Sequence, residues 1–310
     1  MINIRGESKF KQFLKLVKRD RNLLIMFLPI IAYYVIFHYV PMTGAIISFK
    51  MFVPGNGIYF GKFVGLQWFD QFLSSVYAWR LIRNTLLISV YYILIGFPLP
   101  IIFAICITEI KRTFIKRTVQ TVSYLPHFIS TVILVGMLQN IFAINNGIVN
   151  VVIEMFGGTQ INFFQDPNWF RTLYVGSSVW QGFGWNSIIY ISAITGIDPT
   201  LYEAGDIDGI SRFGKARHIT VPMIMPTIII LFIMELGALM SVGFEKVFLM
   251  YNTATYETAD VISTYVYRKG LNDAQYSFSS AVGLFNSIVN FILVFSSNAI
   301  CKRSTGSSLW

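Results

Sequence analysis

Hydrophobic residues fall into six long runs separated by shorter polar stretches. The runs cover about Leu23–Phe49, Asn84–Ile107, Phe128–Ile144, Tyr174–Ile197, Val221–Phe244 and Ser277–Ile300. A membrane-crossing helix needs about 20 mostly apolar residues. Helices are the expected form because they satisfy every backbone polar group within the segment. The pattern therefore predicts an all-α membrane protein with six transmembrane helices, of which the third is the shortest. The expected organisation is a basic arm over 1–22, a spanning domain over 23–300 and a tail over 301–310. The first run is too long for the apolar part of a signal peptide and is followed by no small-residue cleavage site, so it is expected to remain as a span.

Between the fourth and fifth runs lies "LYEAGDIDGISRFGKARHITVPMIMP", Leu201–Pro226, a charged and Gly-broken hook. Thr200 followed by Glu203, with Pro199 just before, has the spacing of a capping box and predicts the start of a short helix. Gly209 is placed to end it. Ser211 is placed to cap a second short helix carrying Arg212, Phe213, Lys215 and Arg217. Pro222 and Pro226 would then bend the entry to the fifth span. Composition and spacing leave two readings open, a docking surface or an ordinary charged loop at the membrane face.

Composition agrees with lipid as the solvent. The chain is 55% hydrophobic and 13% charged, against about 25% charged in soluble domains. The two cysteines, Cys106 and Cys301, make no disulfide framework or metal cluster. Lysine and arginine set the orientation. With the N-terminus inside, sixteen of the 24 basic residues fall in inside segments, in the arm, at Lys111–Arg117, in the hook and at Lys302 and Arg303. Both termini and the hook are then cytoplasmic. The net charge of +9 is mostly this asymmetry, with contact to anionic lipid as a further use; nothing calls for nucleic acid.

The motif "EAGDIDGISRFGKARHITVP" resembles the cytoplasmic loop of ABC importer permeases, which reads Glu-Ala-Ala, a Gly four residues on, then Ile-x-Leu-Pro. Glu203, Ala204, Gly209, Ile219 and Pro222 match, Gly205 replaces the second Ala, and Val221 replaces Leu. Tyr202–Gly209 has the form seen in maltose-type sugar permeases. "FVGLQWFDQF", "RNTL", "SYLPHFIST", "NNGIVN" and "VGFEKVFLMYNTATYETADVISTYVYRKGL" extend the likeness over nearly the whole chain. They are close to the polysaccharide or lipoprotein-type (LplB-like) subgroup. The resemblance implies a type I ABC importer permease fold in a bacterial cytoplasmic membrane, with the loop over about 198–220 acting as a coupling helix. It implies that Glu203, Ala204, Gly205, Asp208, Gly209, Ser211 and Phe213 meet an ATPase. The implied partners are a second homologous permease, two ABC ATPase subunits, an extracellular solute-binding protein and a sugar, in the manner of an oligosaccharide importer.

The chain carries no ATP site of its own: in "GNGIYFGKF" the spacing of Gly55, Gly57 and Gly61 is wrong for a phosphate loop, and Phe63 stands where Ser or Thr would bind magnesium. No cofactor is expected on this chain; ATP and Mg belong to the partners. His38, His127 and His218 have no companions at metal or catalytic spacing, so no metal site and no enzyme activity is expected. Glu235 is the one acid deep in a run. It is either a functional group or a protonated partner in a helix–helix hydrogen bond, and the residues do not choose. An ion-coupled transporter or channel is the alternative function. Sugars offer hydroxyl edges and C–H faces, so aromatic and amide groups near the hook are the candidate substrate path: Trp180, Gln181, Trp185, Asn186 and Tyr190 in the fourth span, and Glu235, Ser241 and Phe244 in the fifth. Each Trp has packing or interfacial anchoring as its alternative role.

The orientation is checked by thiol labelling of intact cells. Cysteines placed at Asn56 and Asn252 are expected to react with an impermeant reagent, and one at Ser211 only after permeabilisation. Labelling of Ser211 from outside would reverse the topology.

Overall fold

The structure is a computed structural model that describes residues 17–306 and 308–309. Most of the expected basic arm, residues 1–16, lies outside the described residues, as do 307 and 310 of the tail. Regular structure among the described residues is helical apart from one isolated bridge between Lys50 and Phe63. The chain forms two compact units, one ending at Leu66 and one beginning at Gln67.

The first unit holds α1, Arg21–Phe49. No residue from Arg21 to Met42 is buried, and the helix is apolar on all sides. Such a helix suits lipid or another chain rather than water. Its turn at Val35–Tyr39 widens to a π-helix just before Pro41, a common way to absorb the missing N–H of a proline.

The second unit runs α2 Gln67–Leu73, α3 Val76–Thr108, α4 Thr113–Phe128, α5 Thr131–Ile141, α6 Ile148–Met155 and α7 Pro167–Thr195. It continues with α8 Pro199–Ile207, α9 Arg212–Gly237, α10 Phe244–Met250, α11 Tyr256–Ala259, α12 Ile262–Tyr267 and α13 Tyr276–Thr305. By length and composition α1, α3, α9 and α13 are apolar enough to cross a membrane. At 29 residues α7 is about 44 Å long, but Ser177, Ser178, Gln181, Asn186 and Ser187 make it more polar.

Two expected spans differ in form. In place of a continuous third span over Phe128–Ile144 there is a broken pair, α4 and α5, bent by 99°. Pro126 lies in the short 3-10 turn that ends α4, and the Ser130 hydroxyl caps α5 by accepting from the Ile133 N–H at 3.4 Å. The expected fifth span ends early, at Gly237, and the chain unwinds over 238–243.

Helix α7 is the centre of this unit and packs against α3, α4, α9 and α10. Gly184 brings it against α4, since a Cβ there would sit 2.1 Å from the Ser123 carbonyl oxygen. At the end nearest the hook, Ala104, Tyr190, Ile194 and Ile224 form one apolar cluster. Two others lie elsewhere, one around Ile88, Val175, Val247 and Val261 and one around Phe72, Leu81, Ile262 and Phe278.

A polar knot ties helices α3 and α7 to the segment around α11 and α12, at what we term the loop end. The fully buried Asn84 donates to the carbonyls of Glu257 at 2.8 Å and Asp260 at 3.0 Å, and its Oδ1 accepts from Arg171 at 2.9 Å. Thr85 Oγ1 accepts from the Ile262 N–H at 3.3 Å. Asp260, itself fully buried, accepts from Arg268 at 2.7 Å, Thr264 at 2.9 Å and Arg80 at 3.5 Å. The segments "RNTL" and "ETADVIST" thus meet. Each buried polar group left unpaired costs about 1–3 kcal/mol. Asn84→Ala is therefore expected to destabilise the protein by about 2 kcal/mol or more, read as a lower melting temperature in detergent; an unchanged melt would mean the knot holds nothing.

Candidate functional site

The hook is a clasped helix–turn–helix. Asp198, not Thr200, is the N-cap of α8, with its carboxylate accepting from the Thr200 N–H at 3.0 Å. The expected Thr200–Glu203 capping box is therefore corrected: Pro199 takes the first helical position, where its fixed φ and missing N–H fit best, and this moves the cap back to Asp198. Gly209 has φ +68°, and the N–H groups of Gly209 and Ile210 return to the carbonyls of Asp206 at 3.2 Å and Gly205 at 2.9 Å. This is a Schellman stop. The Ser211 hydroxyl then accepts from the Gly214 N–H at 3.2 Å. Arg212–Lys215 is not a separate helix but the first turn of α9, joined through a π-turn at Ala216–Thr220 just before Pro222.

Lys215 pairs with Asp206, and Tyr202 OH meets Thr220 Oγ1 at 2.9 Å, which fastens α8 to α9. Gly205 is buried beneath Ile219 and Lys215. Glu203, Ala204, Asp208, Gly209 and Ser211 are exposed. Ile207 and Phe213 are 87% and 77% exposed. These two large apolar side chains are held out at a rigid polar turn.

Two adjoining cavities run between α3, α7 and α9. The one toward the hook, of about 180 Å³, is lined by Asn186, Tyr190, Tyr92 and Glu235. The one toward the loop end, of about 210 Å³, is lined by Tyr92, Ser89, Tyr174, Ser178, Glu235 and Ser241. Tyr92 and Glu235 belong to both. The structure thus brings together Asn186, Tyr190, Glu235 and Ser241 of the candidate path. The unwound segment supplies one wall, including Ala238, Val242 and Gly243. Irregular backbone at membrane depth is tolerated where it lines a polar cavity. Asn290 of α13 services it: its Oδ1 accepts from the Met240 N–H at 2.9 Å and its Nδ2 donates to Ser241 Oγ at 2.9 Å.

The remaining candidates lie elsewhere. Gln181 donates to the Ile129 carbonyl at 2.8 Å and pins the α4–α5 bend. Trp185 stacks on His127 with centroids 4.5 Å apart. Trp180 lines an apolar hollow with Leu134 and Met137. Phe244 packs on Phe248 and Tyr267.

Sequence reasoning missed Tyr92, Ser89, Ser178, Asn290 and Lys246. For Lys246 there was a signal, a lysine inside the quoted "VGFEKVFLMY" block. It lies beyond the end of α9, on α10, and is 7% exposed. Its Nζ donates to Ser178 Oγ at 2.7 Å and to the Tyr174 carbonyl at 3.2 Å. Burial without a counter-charge pushes its pKa down to about 7. Farther toward the loop end, Arg171 lies near Arg83 and Glu257. Among the described residues no group of His, Cys, Asp and Glu could hold a metal ion.

Long apolar helices around a polar column, with a clasped polar hook at one end, define a membrane permease. The chain belongs to the binding-protein-dependent transport system inner membrane component family, whose profile matches residues 96–305. It is 39% identical over 287 residues to Protein LplB of Bacillus subtilis (strain 168), covering 93% of this chain and 90% of that protein. It is 38% identical to the polygalacturonan/rhamnogalacturonan transport system permease protein YteP of the same organism, covering 96% and 92%. The crystal structure of a bacterial ABC transporter involved in the import of the acidic polysaccharide alginate contains a chain that matches with a TM-score of 0.88 at 40% identity, covering 95% of this chain and 99% of that one. The fold is that of a type I ABC importer permease.

Asn290→Ala is expected to leave the Met240 N–H unpaired and to destabilise the break by about 1–3 kcal/mol. The measurement is transport together with thermal stability. Normal values for both would show that the unwound segment holds itself.

Proposed function

We propose that this chain is one of two permease subunits in an ATP-driven importer that takes up an oligosaccharide. An external solute-binding protein delivers the sugar, and two ABC ATPase subunits supply ATP hydrolysis with Mg. The observation that carries this reading is the hook, a rigid exposed turn joined without interruption to a helix that walls the polar column. Relatives support the sugar: YteP is named for polygalacturonan and rhamnogalacturonan, and a second matching structure holds an alginate pentasaccharide-bound periplasmic protein. The hook end faces the cytoplasm and so do both termini, in keeping with the lysine and arginine asymmetry. The chain makes six crossings, with α7 and the α4–α5 pair completing the four apolar helices.

In this reading ATP binding closes the ATPases on the hooks of the two permeases. Glu203, Asp208, Ile207 and Phe213 meet the ATPase and Gly209 lets the backbone approach it closely, whereas Gly205, buried against Ile219 and Lys215, seats α8 on α9 instead. The tilt of α9 then opens the column outward, and the sugar passes from the binding protein to Tyr92, Asn186, Tyr190, Glu235 and Ser241. Sugar hydroxyls find acceptors and donors there, and the Tyr rings offer faces to its C–H groups. Hydrolysis resets the cycle. Among the described residues no second acid lines the column beside Glu235, so the column lacks the relay of acids an ion-driven cycle uses.

Gly209→Val is expected to abolish coupling with the spans still folded, because a β-branched residue resists positive φ. Glu203→Ala is expected to act mildly, since Asp198 rather than Glu203 caps the helix. The readouts are ATP- and binding-protein-dependent uptake in proteoliposomes, and co-purification of the ATPase. Normal uptake by Gly209→Val would make the hook a mere loop, and uptake driven by an ion gradient without nucleotide would favour the alternative, an ion-coupled transporter.

A further inference from the structure

The ammonium of Lys246 is set behind the wall of the loop-end cavity. It touches Ser178 and Tyr174, both of which line that cavity. It also lies 5.1 Å from the centroid of the Tyr174 ring. An ammonium carries three N–H donors; two are used, and both go to neutral oxygens. No carboxylate lies within ion-pair distance of it among the described residues. A buried charge without a partner is costly, and an apolar side chain of similar length would fill the same space without that cost. The arrangement becomes favourable when an anion enters the cavity beside it.

The surroundings favour the same sign. Helices α3 and α7, which wall the cavity, carry Arg83 and Arg171 toward the loop end. Arg171 precedes Ser178 by about 10 Å of helix, and Arg83 precedes Ser89 by about 9 Å. The Nε of each is buried and has no partner. The nearby Asp260 is already engaged by Arg80 and Arg268. Glu257 lies near Arg171, and Glu235 sits at the far, hook-side end of the cavity, where it can accept from sugar hydroxyls. Arg83 and Arg171 therefore add positive charge on the loop-end side of the cavity.

We propose that the loop-end cavity receives the carboxylate of an acidic sugar, a uronate unit of the oligosaccharide, and that Lys246 is the residue that selects it. This rests on the reading of the chain as an oligosaccharide permease. Lys246 supplies a positive charge from directly behind Ser178 and Tyr174 in the cavity wall, and Arg83 and Arg171 add to the field that draws the anion in from the loop end.

The test is equilibrium binding to the assembled transporter. The two probes have equal length, tetragalacturonate and its carboxyl-reduced counterpart, galactotetraose. The unaltered protein is expected to bind the acidic probe about 10-fold or more tighter, as a weakly screened positive charge close to the carboxylate implies. Lys246→Met is expected to bring the two probes to parity by weakening the acidic one alone, and Lys246→Arg to keep most of the preference. Where Lys246→Met does not assemble, Lys246→Gln, which retains a donor for Ser178, carries the same comparison. A purely structural lysine would weaken both probes by one factor, and that result overturns the proposal. Equal affinity of the unaltered protein for both probes, or binding of neither, also overturns it. Those outcomes leave the importer reading intact as long as ATP-driven uptake of some oligosaccharide is observed, and only loss of that uptake removes both.

Discussion

Asn290 satisfies the backbone at the one place where the fifth span comes apart. In lipid an unpaired N–H or C=O costs several kcal/mol, so a helix cannot simply stop partway across. Here Ala238, Leu239 and Ser241 turn their N–H groups back to the carbonyls of Glu235, Leu236 and Ala238. Asn290 takes the Met240 N–H, and Ser263 donates to the Val242 carbonyl at 3.4 Å. Those partners satisfy the N–H groups of Ala238, Leu239, Met240 and Ser241 and the carbonyls of Ala238 and Val242, and the irregular segment walls the loop-end cavity. Glu235 lies in the last turn before the break. That position lets one carboxylate face both cavities.

The opposite constraint acts at the loop end of α3 and α7. Asn84 joins α3 to Arg171 of α7 and to the carbonyls of Glu257 and Asp260, while Asp260 gathers Arg80 and Arg268. One side chain closing bonds to three segments removes their freedom to slide past one another. Two walls of the column are thus fixed to each other and to the outer segment. The third wall, α9, carries none of these bonds. It packs instead on α13, where Gly237 lies so close that a Cβ would stand 2.3 Å from Val294, and Asn290 of α13 holds the unwound segment that follows it.

What could be read from the sequence divides by range. The stop at Gly209 and the cap at Ser211 were legible because each signal and its effect lie within a few residues. Even there, the choice of cap depended on one competing rule: Pro199 at the first helical position outweighed the Thr200–Glu203 spacing. The long apolar runs announced α1, α3, α9 and α13, since hydropathy acts on segments as wholes. The 99° bend was hidden because it falls at the very start of the third run, where the amphipathic α4 joins the apolar α5, and the break after Gly237 was hidden because its repair comes from Asn290, 50 residues beyond Met240. The candidate path was readable in part: Asn186, Tyr190, Glu235 and Ser241 converge on the column, whereas Gln181 and Trp185 face the α4–α5 bend. A list of polar residues on a helix does not say which face meets which neighbour. Asn84 and Asp260, 176 residues apart, were visible only as two quoted motifs with no reason to meet.

The two ends of α9 bring these constraints together. Its first turn belongs to the clasped hook, held to α8 by the Lys215–Asp206 pair and the Tyr202–Thr220 bond. Its last turn carries Glu235, and the unwound wall begins immediately beyond. The helix has 26 residues and spans about 39 Å. A helix is stiff along its length, so a displacement imposed at the hook arrives at the break as a tilt rather than being lost in bending. The π-turn at Ala216–Thr220 and Pro226 are the two places where its ladder is loosened, the first in the hook half and the second just past the midpoint. The ladder is unbroken from Pro226 to Gly237. In the proposed cycle the break at 238–243 would absorb rotation that an intact helix transmits, so that α9 would shift without dragging α10 and Lys246 would keep its hold on Ser178.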